Sequence, residues 1–178
     1  MTIKYFRHPE LTLEDDIWCN EQADKIFDMS NDPNQMDLED ASFEITKLFP
    51  YAWTVIKDDN RIVGYTYILP TTNNLMKKFV SEEITEKQMS QIINTEIRYN
   101  NCDAIYLAGA FFIEEYQNKG LAIRSTIDTI RHMDKERGLK IKDLYIWPFT
   151  EAMINMIEKA KILVEKDNRI LHVYYLNK

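Results

Sequence analysis

The stretch EEYQNKGLAIRS, Glu114 to Ser125, decides how the rest of the chain is read. It follows the apolar run AIYLAGAFFI, Ala104–Ile113, which reads as a central strand buried on both faces. It opens a helix on which Ile123, Ile127 and Ile130 face one side. Arg131, Lys135 and Arg137 lie near that helix's C-terminus, where they oppose its dipole, and Gly138 supplies the residue just past its end. A strand that feeds a helix through Gln117–Ala122 leaves unsatisfied N–H groups and a partial positive charge at the turn. Such helix starts bind anions, phosphate above all. Gly120 lets a ligand oxygen approach the backbone closely, and Lys119 adds a cation. The Gln117 amide can bond either to a ligand or across the turn. The spacing matches neither a Walker A loop nor GxGxxG, so an ordinary strand-to-helix bend has the same local appearance.

The neighbouring segments give the turn its setting. Residues 3–7 read as a short strand, and Thr12 caps a helix over about 13–29. MSNDPN, Met29–Asn34, breaks it. Leu38, Ala41, Ser42, Ile45, Leu48 and Phe49 then fall at helical spacing until Pro50. Tyr51–Lys57 and Arg61–Leu69 flank Asp58-Asp59-Asn60 and read as an antiparallel hairpin, with Pro70 ending its second strand. Residues 71–102 form a long connection with one well-signed helix. Thr85 and Gln88 match a capping box, Ile84 and Met89 a hydrophobic staple, and Met89, Ile92, Ile93 and Ile97 make one apolar stripe. A connection of this length either walls a pocket or covers one sheet face. Asp143–Trp147 is a short strand stopped by Pro148, and Thr150 caps a helix to about Ala160. Ile162–Glu165 and Arg169–Leu176 read as a closing hairpin around Asp167-Asn168. Hairpins mixed with a strand–helix–strand unit give a mixed α/β sheet in a single domain over residues 1–178.

Composition narrows the chemistry. With 22 basic and 29 acidic residues the formal net charge is −7, which argues against nucleic acid as a partner. The balance is compatible with a cationic partner and equally with plain solubility. Cys19 and Cys102 form no disulfide scaffold and no CxxC pair. His8 and His132 have no carboxylate or cysteine at ligand spacing, so no metal is expected. MTIKYFRHPE does not read as a signal peptide, and no apolar run approaches the ~20 residues that span a bilayer. The expectation is a cytoplasmic protein without membrane contact.

Gln117-Asn118-Lys119-Gly120-Leu121-Ala122, led by Tyr116 and the buried strand, resembles the coenzyme A-binding motif of the GNAT acetyltransferase superfamily. That motif is Gln or Arg, two residues, Gly, one residue, then Gly or Ala. The order of elements is similar over most of the chain, outside the helical insertion at about 71–102. The resemblance implies the GNAT acyl-CoA N-acyltransferase fold, a mixed, mostly antiparallel central sheet flanked by helices. It implies that backbone N–H groups of Asn118, Lys119, Gly120, Leu121 and Ala122 hold the pyrophosphate of acetyl-CoA. Phe111, Phe112 and Ile113 would lie along the pantetheine arm, with Thr150 and Ile154 on its other side. The implied reaction is direct attack of a small amine on the thioester in a ternary complex, without a metal. An acceptor such as a polyamine or an aminosugar is compatible with the acidic chain. An amine of pKa about 10.4 must lose a proton first, and the developing oxyanion needs N–H donors.

The chain departs from that family at the chemistry. Many members place a tyrosine acid just before a Glu-Lys pair; here Ile157 precedes Glu158-Lys159. Thr150 stands where an asparagine is common, and Lys161-Ile162 replace Gly-Phe. Tyr106 falls where histone-type members carry a glutamate base. A phenol can relay a proton through water but is a poor base at neutral pH, and Tyr106 is the catalytic candidate on those terms. His172 and Tyr174 share one face of the last strand, and Glu114 and Glu115 are expected to face solvent. Two alternatives stand beside the enzyme. One is a weak or inactive module that binds coenzyme A or acyl-CoA. The other is a structural protein whose insertion contacts a partner. The chain is expected to be a monomer or a homodimer.

Overall fold

The computed structural model describes residues 2–27, 36, 45–148 and 151–175. The strands are β1 (Ile3–Phe6), β2 (Trp53–Asp58), β3 (Arg61–Thr71), β4 (Ala104–Phe112), β5 (Asp143–Ile146) and β6 (Ile170–Val173). The helices are α1 (Leu13–Phe27), α2 (Asn73–Val80), α3 (Glu86–Glu96), α4 (Leu121–Arg137) and α5 (Glu151–Glu165). Residues 45–48 are also helical; Leu38, Ala41 and Ser42 lie outside the described residues. The strands form one sheet in chain order, β1 to β6. β1 through β4 pair antiparallel, while β4–β5 and β5–β6 pair parallel. The sheet is therefore mixed and mostly antiparallel, with helices on both faces.

Local chemistry sets these elements. At α1, the Thr12 hydroxyl accepts the Asp15 N–H at 3.2 Å and the Asp15 carboxylate accepts the Thr12 N–H at 3.0 Å, a reciprocal cap. The same carboxylate holds Lys57 at 2.7 Å and ties α1 to β2. The Thr85–Gln88 capping box opens α3 as its sequence says, and Met89, Ile93 and Ile97 are buried. The sequence reading missed α2. Thr72 caps it, and Leu75, Met76 and Phe79 bury one face. Helix α4 covers one face of the sheet through hydroxyl pairs, Thr54–Thr129 at 3.0 Å and Thr66–Ser125 at 2.9 Å.

Three expectations change. First, β3 runs through Pro70 to Thr71. The Thr71 C=O accepts the Asp103 N–H at 3.1 Å, so by alternation Pro70 turns its imide nitrogen away from β4. The β2 ladder begins only at Trp53, opposite Tyr67, so no partner strand there needs a proton from residue 70.

Second, there is no closing hairpin. Helix α5 continues to Glu165 because Ile157, Ala160 and Val164 keep helical spacing and are all buried. Asp167 and Asn168 turn the chain into β6, which adds parallel to β5. Arg169 fastens the turn, with Asp167 at 2.7 Å and Asp134 of α4 at 2.8 Å.

Third, β4 is buried on both faces only at its start. Ala104, Ile105 and Tyr106 are buried, whereas Leu107–Phe111 are half-buried. The register between β3 and β4 slips at Tyr67/Ile68: Tyr67 pairs with Gly109 and Ile68 with Leu107, leaving Ala108 as an extra residue. β4 pairs with β5 only over Ala104–Leu107 but stays on β3 as far as Phe112. One side of Ala108–Phe112 thus has no strand against it among the described residues.

Gly64 sits where β3 meets this unpaired half. A Cβ there would run into the Phe111 carbonyl oxygen and the Phe112 ring. Gly64→Ala should cost about 1–3 kcal/mol through forced backbone movement. Urea unfolding checks this, and a wild-type midpoint would contradict it.

Candidate functional site

The open edge of β4 has a definite chemistry. The Ile113 N–H donates to the Val63 C=O at 3.1 Å, so residues 113 and 111 turn their backbone groups toward β3. By alternation, Phe112 and Ala110 turn theirs toward the open side. The Gln117 amide donates to the Phe112 C=O at 2.9 Å. Gln117 therefore braces the turn. The N–H and C=O of Ala110 face the opening.

The chain then turns tightly. Glu114–Tyr116 is one 3₁₀ turn, Asn118 takes φ 58°, and Gly120 takes φ 69° and ψ 19° at the start of α4. No side chain caps this helix, and its first backbone bond runs from the Arg124 N–H to the Gly120 C=O at 3.2 Å. The N–H groups of Leu121, Ala122 and Ile123 are thus left for an external acceptor. Backbone N–H groups presented by alternating left- and right-handed residues form a concave anion site. Gly120 is needed for its backbone angle: an added Cβ would meet only Leu163 at 3.7 Å and Arg124 at 4.0 Å, ordinary contacts.

The cation is less committed than the backbone. Lys119 Nζ lies 4.8 Å above the Tyr116 ring. The Tyr116 hydroxyl donates to Asp58 at 2.6 Å, so the turn is pinned to the β2–β3 hairpin. Glu115 pairs with Arg61 at 3.1 Å, and both side chains are exposed. Glu114 is exposed too, as expected.

The remaining expected binding residues divide. Phe111 packs against Trp18 and Tyr65 on the face away from α4. Phe112 and Leu121 are buried together with Ile56 and Val63, and Ile113 and Ala122 pack against them. These side chains are taken up by apolar packing, so the polar groups left at the strand end and the turn are backbone ones. Ile154 is exposed on α5, and Thr150 lies outside the described residues. Ile157 is 5% exposed, so that position presents no acid.

Tyr106 is 2% exposed, and its hydroxyl donates to Glu86 Oε1 at 2.8 Å. Burial, then the Glu86 charge, pushes its pKa well above 10.0, so it stays protonated at neutral pH. Sequence reasoning missed Glu86. As the first residue of a capped helix it looks like an ordinary first-turn carboxylate, and only its 8% exposure singles it out.

His172 belongs to a separate network. It bonds Asp143 at 2.7 Å and stacks on Tyr145 at 4.5 Å. The Tyr145 hydroxyl donates to Asn73 at 2.7 Å, so the network fastens α2 to β5 and β6. Among the described residues, no group of three or more side chains could hold a metal, and no helix is long and apolar enough to cross a membrane.

No protein-family model matches the chain, and no curated protein does. Among solved structures, one similar to it is a ribosomal-protein-alanine N-acetyltransferase from Brucella melitensis biovar Abortus 2308. It shows 14% identity over 89% of this chain and 90% of that one, with a TM-score of 0.46. Another is an aminoglycoside acetyltransferase from an uncultured soil metagenomic sample, in complex with trehalose. It shows 16% identity over 99% of this chain and 97% of that one, with a TM-score of 0.44. Likenesses this distant say nothing of substrate, so the functional case rests on the geometry above.

The Tyr116 hydroxyl, more than any other group, holds the Asp58 carboxyl below its ordinary 3.8. The associated stabilisation is present above pH 3.8 and is lost as the pH falls through the lower folded value. Tyr116→Phe should therefore be less stable than wild type at neutral pH and converge with it in strong acid. Urea midpoints across an acid series test this; a constant offset at every pH would contradict it.

Proposed function

We propose that this chain is an acetyl-CoA-dependent N-acetyltransferase of the GNAT superfamily, acting on a small cationic amine. One observation carries the reading. The strand that parts from its neighbour at Ala108 leads directly into an uncapped helix start with Gly120 in the left-handed region. An extended arm can lie along the open edge and bond to Ala110. The N–H groups of Leu121, Ala122 and Ile123 then take phosphate oxygens. The backbone and helix dipole make this site, with Lys119 as an exposed auxiliary cation.

Acetyl-CoA supplies the activated acyl group in this reaction. The chain's own part is positioning, which can account for most of the rate effect when both reactants are held in register. A backbone N–H on the open edge is the kind of donor that stabilises charge developing on an acyl oxygen. A leaving thiol of pKa about 8.5 needs little help from an acid, and buried Ile157 offers none. Tyr106 serves, in this reading, as a protonated phenol that holds a carboxylate on the sheet face at the splay. The alternative, a module that binds coenzyme A without turnover, draws on the same Ile157. Consumption of the thioester in the presence of amines separates the two.

Calorimetry with acetyl-CoA tests the binding claim. Wild type should bind in the micromolar range, on the order of −8 kcal/mol. Gly120→Glu puts a carboxylate at the helix start and strains the backbone, so it should lose at least ~tenfold in affinity while remaining folded by circular dichroism. Absence of binding to wild type would overturn the proposal.

A further inference from the structure

β2 is open along part of its outer edge. β1 pairs with it only from Ile3, opposite Asp58, to Phe6, opposite Val55, whereas β2 extends further, to Trp53. Continuing that register would put His8 opposite Trp53. The chain turns there instead, and the Glu10 N–H donates to the Arg7 C=O at 2.6 Å. The Ala52 C=O accepts the Ile68 N–H at 2.9 Å, so residue 52 turns its backbone groups toward β3. By alternation, Trp53 turns its N–H and C=O to the outer side, where no described residue bonds to them.

Trp53 is only 5% exposed. Backbone groups so far from water are costly to leave without a partner. The indole N–H of the same residue is also buried with no partner in hydrogen-bond geometry, and the Cys19 thiol beside it is a weak acceptor. A cavity of about 800 Å³ opens at this point, lined by the turn after β1, by α1 and by the segment that leads into β2. That is the volume of an ordinary ligand pocket. Leu11, Pro50 and Tyr51 give it apolar surface, and Asp16 and Asn20, one turn apart on α1, give it polar groups. Its lining carries both signs of charge, Asp16 and Lys47, so it does not select a strongly charged ligand. A strand edge that presents an N–H and a C=O side by side is complementary to an extended peptide unit, which offers the same two groups in return. Apolar lining beside that edge accommodates a neighbouring side chain of such a peptide.

We propose that the cavity at Trp53 is a docking site for a short, extended, uncharged peptide segment that adds to the outer edge of β2. β2 and β3 separate this edge from β4, so the site is distinct from the open edge of β4 and independent of coenzyme binding there. The peptide is held at this site and not chemically changed.

The probe is acetyl-alanyl-leucyl-alanine amide, titrated into the whole protein and followed by amide NMR. Its control is the same compound with every internal peptide nitrogen methylated, which keeps the apolar groups and loses the N–H donors. The unmethylated peptide should bind with a Kd of about 1 mM or tighter and shift both the backbone amide and the indole N–H of Trp53. The methylated control should bind at least ~tenfold more weakly. Asn20 is exposed on α1, so Asn20→Trp fills the cavity from its polar side without disturbing the core. That variant should unfold at the wild-type midpoint, bind coenzyme A as wild type does, and lose about tenfold or more in peptide affinity. Equal binding of peptide and control would reveal a merely apolar cavity and overturn the inference. So would wild-type peptide affinity in Asn20→Trp, or resonances of Trp53 that stay still with the peptide in excess. Peptide binding that moves Trp53 in a protein that does not bind coenzyme A would keep this site and remove the acetyltransferase reading; coenzyme A binding with no response to the peptide would do the reverse.

Discussion

One extra residue in one strand sets the functional geometry. Ala108 has no counterpart on β3, and the bulge it makes bends β4 away from β5 after Leu107. An unpaired strand edge inside a domain is ordinarily a cost, because its N–H and C=O groups must be satisfied. Here the cost is kept local. Gln117 takes up the Phe112 C=O, β3 holds the other side of the strand, and only a short stretch around Ala110 stays open. The same bend points the end of β4 at the turn where Asn118 and Gly120 adopt left-handed angles and α4 begins without a cap. Strand edge and helix start are two sets of backbone donors in sequence, which suits a long ligand with an extended arm and a phosphate end.

The connection between β3 and β4 completes the other face. Helices α2 and α3 are locally well specified, each by a threonine cap. Their apolar sides bury Phe79, Met89 and Ile93. Packed there, α3 delivers Glu86 to Tyr106, and α2 delivers Asn73 to Tyr145. The insertion thus covers the sheet and also brings polar groups to it.

Much of this was legible in the sequence, for reasons that can be named. The hairpin around Asp59-Asn60, the Thr85–Gln88 box and the turn at Gly120 are short-range signals whose chemistry lies within a few residues. The closing hairpin was misread because Ile162, Leu163 and Val164 form a run of β-type residues. Ile162 is exposed there, and the helical spacing of Ile157, Ala160 and Val164 decides the outcome. Helix α2 was missed because Thr72-Asn73-Asn74 looks like loop chemistry until the buried faces of Leu75, Met76 and Phe79 are seen. The extra residue at Ala108 leaves no trace in composition, since register depends on the partner strand. Glu86 was invisible for a related reason: its 20-residue separation from Tyr106 is closed only by tertiary packing.

The central claim is that the splayed edge and the helix start act as one binding surface. Amide NMR of the whole protein titrated with coenzyme A tests it residue by residue. The account predicts that the backbone amides of Ala110 and of Lys119 through Ile123 shift together at one affinity, while His172 and its network stay still. Shifts confined to other elements, or no shift with excess coenzyme A, would contradict it.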